Sequence, residues 1–247
     1  MMADLHVHTC LSPCAGLDLT PMKIVERARQ RGLSLIAVTD HNSAENAAAV
    51  MAAAKGSDLR VLPGMEVTTA EEAHVVALFE TLEGAVALQQ VVFDNLTPGK
   101  NDENLFGMQV ISNEFDEVDG FNERLLIGAT SLDLGEIVDT IHRFGGLAVA
   151  AHIDREGFSV IGQLGFIPDG MDFDALEISR EMSLAQGRAR FGEYERFPFV
   201  TSSDAHSLGE IGMVSTRFRA ARAKMDEIRL ALSGERGREI VMAEGVC

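Results

Sequence analysis

The sequence predicts an α/β fold in which βα units surround a parallel sheet. Short apolar runs rich in strand-forming residues alternate along the chain with helical patterns. The composition, 46% hydrophobic and 24% charged over 247 residues, is that of an ordinary globular chain. No internal repeat or low-complexity linker interrupts it, so a single domain over 1–247 is expected.

The first strand is expected near Ala3–His8. Thr20 and Pro21 then open a helix as N-cap and first helical residue, Ile24, Val25 and Ala28 give it an apolar stripe, and Gly32 stops it. Leu33–Thr39 reads as the second strand, and Ser43 as the cap of an Ala-rich helix running to Gly56. Two strand pieces follow, Arg60–Leu62 and Met65–Thr68, then His74–Phe79 and a helix over about Leu82–Asn95. Residues 97–130 break the rhythm; they hold seven acidic residues and a candidate hairpin, Gln109–Ser112 with Glu117–Phe121, and read either as an inserted lid or as a solvated acidic loop. Asp133 and Glu136 make a capping-box start to a helix that ends at Gly145-Gly146. Strands return at Leu147–Ala151, Ala175–Ile178 and Phe199–Ser202, and Lys224–Leu232 reads as a last amphipathic helix.

Charge and composition narrow the function. Asp plus Glu outnumber Lys plus Arg 38 to 21, a net charge of −17, and no Lys/Arg block occurs, which disfavours long nucleic acid as a partner. Aromatic content is 6% with one tyrosine and no tryptophan, so no run of base-stacking side chains is evident. No apolar run approaches membrane-spanning length, and the N-terminus shows neither a basic nor an apolar signal region; no membrane association and a cytoplasmic location are expected. Cys10, Cys14 and Cys247 are too few for a disulfide framework.

The histidines are the most informative feature. Of seven, His6 and His8 end the first strand, His41 the second and His152 the LAVAAH run, while His74 stands at the mouth of the fourth and His206 follows VTSSD; His142 alone lies within a helix. Strand ends in a barrel converge on one face, where such donors would meet. His6 and His8 point the same way from an extended segment, as do Asp204 and His206. Glu66, after the third strand, has two oxygens with which to bridge two ions. A lone His-x-His is a weak signal and one histidine is usually structural, but six of seven at strand ends point to a metal site. Asp4 and Asp40 read as groups that orient imidazoles. Arg155, three residues after His152, is a candidate phosphate clamp because guanidinium matches phosphate bidentately; Arg180 reads rather as a structural ion pair. Phe158 and Phe166 are either cavity walls or plain core.

These positions lie in DLHVHT (4–9), TDHN (39–42), GMEVTT (64–69), EAHVVALF (72–79), AAHIDR (150–155) and SSDAHSLG (202–209). As an ordered set they resemble the polymerase and histidinol phosphatase (PHP) superfamily of metal-dependent phosphoesterases. The resemblance implies a distorted (β/α)7 TIM-like barrel with two or three divalent ions, Zn, Mn or Fe, at the strand ends. It implies that His6, His8, Glu66 and Asp204 hold one ion, His41 and His206 a second, and Glu66, His74 and His152 a third. Family members often carry a carboxylate shortly after the second histidine, where this chain has Pro13. Asp18 is then the expected replacement, with Cys14 or the Cys10/Cys14 pair as the other donor.

The expected activity is attack of metal-activated hydroxide on a phosphomonoester of a small metabolite or nucleotide, with His206 or a metal-bound water protonating the leaving group. An amidohydrolase acting on a C–N bond competes with it, yet none of Lys23, Lys55, Lys100 and Lys224 stands at a strand end to serve as a carbamylated bridge. A metal-binding PHP module without catalysis is the remaining alternative.

Overall fold

A computed structural model describes residues 1–241. In chain order these form β1 (Met2–Val7), α1 (Pro21–Gln30), β2 (Leu35–Val38), α2 (Ala47–Ala53), β3 (Arg60–Thr68), β4 (His74–Leu78), α3 (Leu82–Asn95), α4 (Glu103–Phe106), β5 (Val110–Ser112), β6 (Val118–Phe121), α5 (Leu134–Arg143), β7 (Leu147–Ala150), α6 (Val160–Leu164), β8 (Ala175–Ile178), α7 (Leu184–Arg190), β9 (Phe199–Thr201), β10 (Thr216–Arg219), α8 (Met225–Leu232) and β11 (Glu239–Val241). Cys247 lies outside the described residues.

Nine strands of the described residues make one sheet in the order β11-β10-β1-β2-β3-β4-β7-β8-β9. Beyond β9, Ala205 bridges to Val7 in parallel, which brings the far end of the sheet back to β1 and nearly closes a barrel. The distorted TIM-like architecture expected from the motifs is therefore present. It is not uniformly parallel: β4 runs antiparallel to both β3 and β7, and β10 antiparallel to β1 and β11. The reversal of β4 matters for the site. An antiparallel strand offers its first residue, not its last, to the rim where its neighbours end, so His74 at the start of β4 sits beside Thr68 at the end of β3.

The two pieces expected at 60–68 are one strand. β3 pairs with β2 through Pro63 and with β4 from Gly64 onward, so the proline marks a change of partner rather than a break. Gly64 is required there, because a Cβ would lie 2.3 Å from the Ala77 carbonyl oxygen.

Alternation along the strands divides the buried side chains into two layers. Leu5, Leu35, Leu62, Val76, Leu78 and Val149 pack together with Met225 and Ile228 of α8, while Ile36, Val38, Met65, Val75 and Ala77 face the surrounding helices. Glu66, His74 and Glu177 continue the alternation of Leu62, Val76 and Ala175, so they crown the first layer. In β1 the register shifts between Asp4 and Val7. This bulge lets Leu5 join the apolar layer and Val7 the other, while His6 and His8 still project among the rim donors.

Helix α2 begins at Ala47 rather than at Ser43. The Asn46 side chain is occupied elsewhere: it donates to Thr9 Oγ1 and the Val110 carbonyl and accepts from Ser112 N. These contacts, with Val110 N bonded to Cys10 O, fasten the β5–β6 hairpin of residues 97–130 to the rim. Thr20 makes no side-chain cap; Asp116 of that hairpin takes the Met22 N–H instead, at 2.7 Å. The Asp133/Glu136 capping box of α5 forms as expected.

Candidate metal centre

Glu66 is the hub. Its carboxylate is fully buried at the end of β3, and five imidazoles surround it. Oε1 lies 2.8 Å from His74 Nδ1 and 3.1 Å from His152 Nε2. Oε2 lies 3.1 Å from His41 Nδ1 and 3.4 Å from both His6 Nε2 and His8 Nε2. Asp204 joins from the loop after β9, with Oδ1 3.1 Å from His8 Nε2 and 3.4 Å from His6 Nε2. Three sets of donors result, each with its ligand atoms within 4.8 Å of one another: His6, His8, Glu66 and Asp204; His8, His41 and His206; and His41, Glu66 and His74.

The chemistry of this set fits divalent cations. His6 Nε2, His41 Nδ1 and Glu66 Oε2 are buried and without an aligned hydrogen-bond partner, although both nitrogens stand within 3.4 Å of Glu66 Oε2. Buried polar atoms are normally satisfied, so atoms left converging on a common point suit a shared cation. The far nitrogens are held outside the cluster. A carboxylate can only accept, so His6 Nδ1–H donates to Glu177 Oε1 at 3.0 Å, leaving the Nε2 lone pair for the cluster. Ser12 gives its one hydroxyl proton to Asp40 Oδ1, at 2.7 Å, and therefore accepts from His8 Nδ1–H at 2.8 Å. His206 Nδ1–H donates to the Asp204 carbonyl at 3.0 Å. Such outer contacts fix tautomer and ring orientation.

Electrostatics shows how strongly the carboxylates call for positive charge. Burial would raise Glu66, but His74, His6 and His41 hold its carboxyl well below the usual range. Burial opposes charge on His8, yet its hydrogen bonds to Asp204 and Glu66 outweigh that and lift the imidazole to about 9. His206 behaves oppositely: burial and the neighbouring His8 push it down to about 4. Backbone strain accompanies the donors, since His152 and Asp204 hold positive φ of 30° and 47°.

Above the donors opens a cavity of about 260 Å³, lined also by Cys14, Ile127, Arg155, Gly157 and Phe158. Arg155 reaches it as expected of a phosphate clamp, while its Nη1 is bonded to Asp204 Oδ2 at 2.6 Å. Arg180 pairs with Glu210 at 2.7 Å, and His142 bonds Asp174 away from the site.

The donor sets that the structure brings together differ from the expected ligand sets in four respects, the first being that His8 joins His41 and His206. Asp18 is exposed and belongs to none of the donor sets among the described residues, although its carboxylate turns back over Gly16, whose N–H is bonded to the His206 carbonyl. Cys14 borders the cavity instead, and Cys10 is turned away toward Ser112. His152 touches Glu66, but the third compact set takes His41 in its place. Asp40 acts through Ser12 as an orienting group, whereas Asp4 accepts backbone N–H groups of Ser203 and Gly212. The carboxylate that orients His6 is Glu177, which the sequence reading missed. A lone glutamate inside the apolar strand ALEIS was the available signal.

The PHP domain family model matches residues 4–157 and the PHP-associated model residues 189–236. The chain belongs to the PHP domain family. Among curated proteins, it is 32% identical over 113 residues to the uncharacterized protein YqxK of Bacillus subtilis, covering 43% of this chain and 28% of that one. It is 30% identical over 141 residues to the PolC-type DNA polymerase III of Clostridium perfringens, covering 57% of this chain but 8% of the polymerase. The chain thus spans a minor part of these relatives. Endonuclease Q of Pyrococcus furiosus shares the fold with TM-score 0.76 at 21% identity, over 97% of this chain and 57% of that one. Endonuclease Q in complex with a 27-mer duplex substrate bearing an abasic lesion at the active site gives TM-score 0.74 at the same identity, over 97% of this chain and 58% of that one. A candidate metal-dependent phosphoesterase of Bifidobacterium adolescentis gives 0.57 at 19%, over 94% and 96%.

The PolC-type relative overturns the exclusion of long nucleic acid drawn from net charge, since a DNA polymerase carries a region similar to this chain. The physical reason is that −17 sums the whole surface and says nothing of the local field at the cavity, where Arg155 stands. As to membranes, no helix among the described residues is long and apolar enough to cross one.

Proposed function

We propose that this chain is a metal-dependent phosphoesterase that hydrolyses a phosphodiester bond of nucleic acid. The observation that carries the reading is a cluster of three donor sets, two of them sharing Glu66, directly beneath a cavity that holds Arg155. Family membership and the DNA-acting relatives support it.

His6, His8, Glu66 and Asp204 would hold one ion and Glu66, His41 and His74 another, with His152 as a further contact of Glu66. His206 stands beside His8 and His41 as the added donor of the remaining set. Because a neutral imidazole has one lone pair, His8 and His41 would each serve one ion at a time. Bound there, divalent ions would supply Lewis-acid charge to the phosphoryl oxygens and lower the pKa of water near neutral pH. Arg155 has N–H groups beyond the one bonded to Asp204, and these serve a non-bridging phosphate oxygen at the cavity wall. The same bond spreads positive charge onto Asp204 and keeps its other oxygen, Oδ1, directed at His6 and His8. His206 is neutral at pH 7, being held at about 4. That suits a ligand better than the leaving-group acid considered from sequence.

The test loads the protein with Mn²⁺ or Zn²⁺ and measures cleavage of bis(p-nitrophenyl) phosphate and of end-labelled single- and double-stranded oligonucleotides, with metal content read by mass spectrometry. Metal-dependent cleavage that chelation abolishes is expected. Bound metal without ester cleavage would favour a non-catalytic module, and turnover of amide substrates alone would favour the amidohydrolase.

A further inference from the structure

We propose that Phe158 is a stacking wall that receives the base of a single nucleotide beside the scissile phosphate; this rests on the nucleic-acid reading above. Four observations meet at this residue. Its ring lies parallel to His74, at 4.9 Å between centroids and 22° between planes, yet the residue remains 49% exposed and lines the cavity. One face is therefore covered by the site's own imidazole while the rest is presented to the cavity. Phe158 also sits at φ 59°, a left-handed conformation that is costly for a bulky side chain. Gly157 stands one residue earlier, so the turn places the aromatic rather than the adjacent glycine at the strained position.

The surrounding turn is built to hold it there. The Phe158 carbonyl accepts from His74 N at 2.8 Å, and the buried Ser159 hydroxyl donates to Arg155 O at 2.6 Å while accepting from Gly162 N at 2.9 Å. One short segment thereby sets Arg155 and Phe158 on the same cavity, a cation for phosphate and a ring for a base. Ile127, from the 97–130 segment, adds an apolar contact to the wall. Among the described residues Phe158 is the cavity's one aromatic apart from the imidazoles.

Size narrows the ligand further. At about 260 Å³ the cavity falls just below the roughly 300–1,000 Å³ of sites that hold drug-sized molecules. A space at this small end suits one nucleotide better than a stacked base-pair step. The substrate nucleotide would enter from a single strand or out of the helical stack, and Phe158 would replace the stacking that the base loses.

The experiment uses the metal-loaded protein with a dinucleotide carrying 2-aminopurine and with its abasic counterpart. Quenching of 2-aminopurine on binding is expected for wild type and for Phe158→Trp, and its loss for Phe158→Leu. In the same Phe158→Leu variant, KM for the base-bearing dinucleotide should rise about ten-fold with kcat within two-fold, while the abasic substrate is unaffected. Leucine keeps an apolar cover on His74, so equal losses on both substrates would assign Phe158 to shielding that ligand and overturn the proposal. Absence of quenching with wild type, or quenching retained in Phe158→Leu, would overturn it as well. Because quenching reads binding alone, a protein that binds and stacks the base without cleaving it would sink the phosphoesterase reading and leave the stacking wall standing.

Discussion

The two halves of the donor cluster are built differently. The inner set, His6, His8, Glu66 and Asp204, has side chains at most 6% exposed and contains two carboxylates. Its members are braced from behind, His6 by Glu177, His8 by Ser12 and Asp40, and Asp204 by Arg155. The mouth set, His8, His41 and His206, offers imidazoles only, and the His206 side chain is 28% exposed. Two carboxylates in a dry site bind a divalent cation far more firmly than neutral donors open to water. On the proposed metal-dependent reading, the inner position would hold its ion firmly and the mouth position, next to the cavity, would exchange its ion more readily.

Three substitutions would break or sharpen this contrast. The largest effect is expected from Glu66→Gln, which weakens the carboxylate shared by two donor sets. It should release more than one equivalent of metal and lower phosphodiesterase activity by about three orders of magnitude, several kcal/mol of charge stabilisation. Mass spectrometry of the purified variant and initial rates check this, and a full metal complement would remove Glu66 from its place as the hub. Glu177→Gln touches no ion and leaves the inner ligands in place, but loses the charged acceptor of His6 Nδ1. Inner-site affinity should fall about 10- to 100-fold in a chelator competition, with mouth affinity unchanged; equal weakening of both would erase the distinction between the halves. The smallest effect is expected from Asp18→Asn, because that side chain is exposed and outside every donor set found among the described residues. Metal content and rates should stay within about two-fold, in the range of surface substitutions. Loss of one equivalent would show that the mouth recruits Asp18 when filled.

Much of the fold could be read along the chain because its signals are local. The α5 capping box, the hairpin at 110–121 and the strand that ends two residues before His152 each declare themselves within a few residues. The errors fall where a distant partner decides. Ser43 does not start α2, because the neighbouring Asn46 is drawn to Val110 and Ser112, 64 and 66 residues away. Pro63 looks like the end of a strand until β4 is there to take over pairing from β2. The same holds at the site. His-x-His, Asp-His and Asp-x-His advertise ligands by spacing, whereas Glu177 is recognisable as an orienting group only once the curled sheet brings it within reach of His6. Net charge misled for a related reason: a sum over the whole chain contains no positions, and recognition happens at one cavity.

By itself, the sequence determined which atoms could bind metal and that they stand near strand ends, since residue type and two-residue periodicity are properties of the chain alone. Tertiary structure decided which of those atoms meet. Reversal of β4 carried His74 to the rim, a bulge in β1 turned His6 and His8 inward, and the hydrogen-bonded turns after His8 left the Asp18 side chain exposed. Distances of about 3 Å between residues far apart in the chain follow from strand order and register, which only the packing of all the strands together sets.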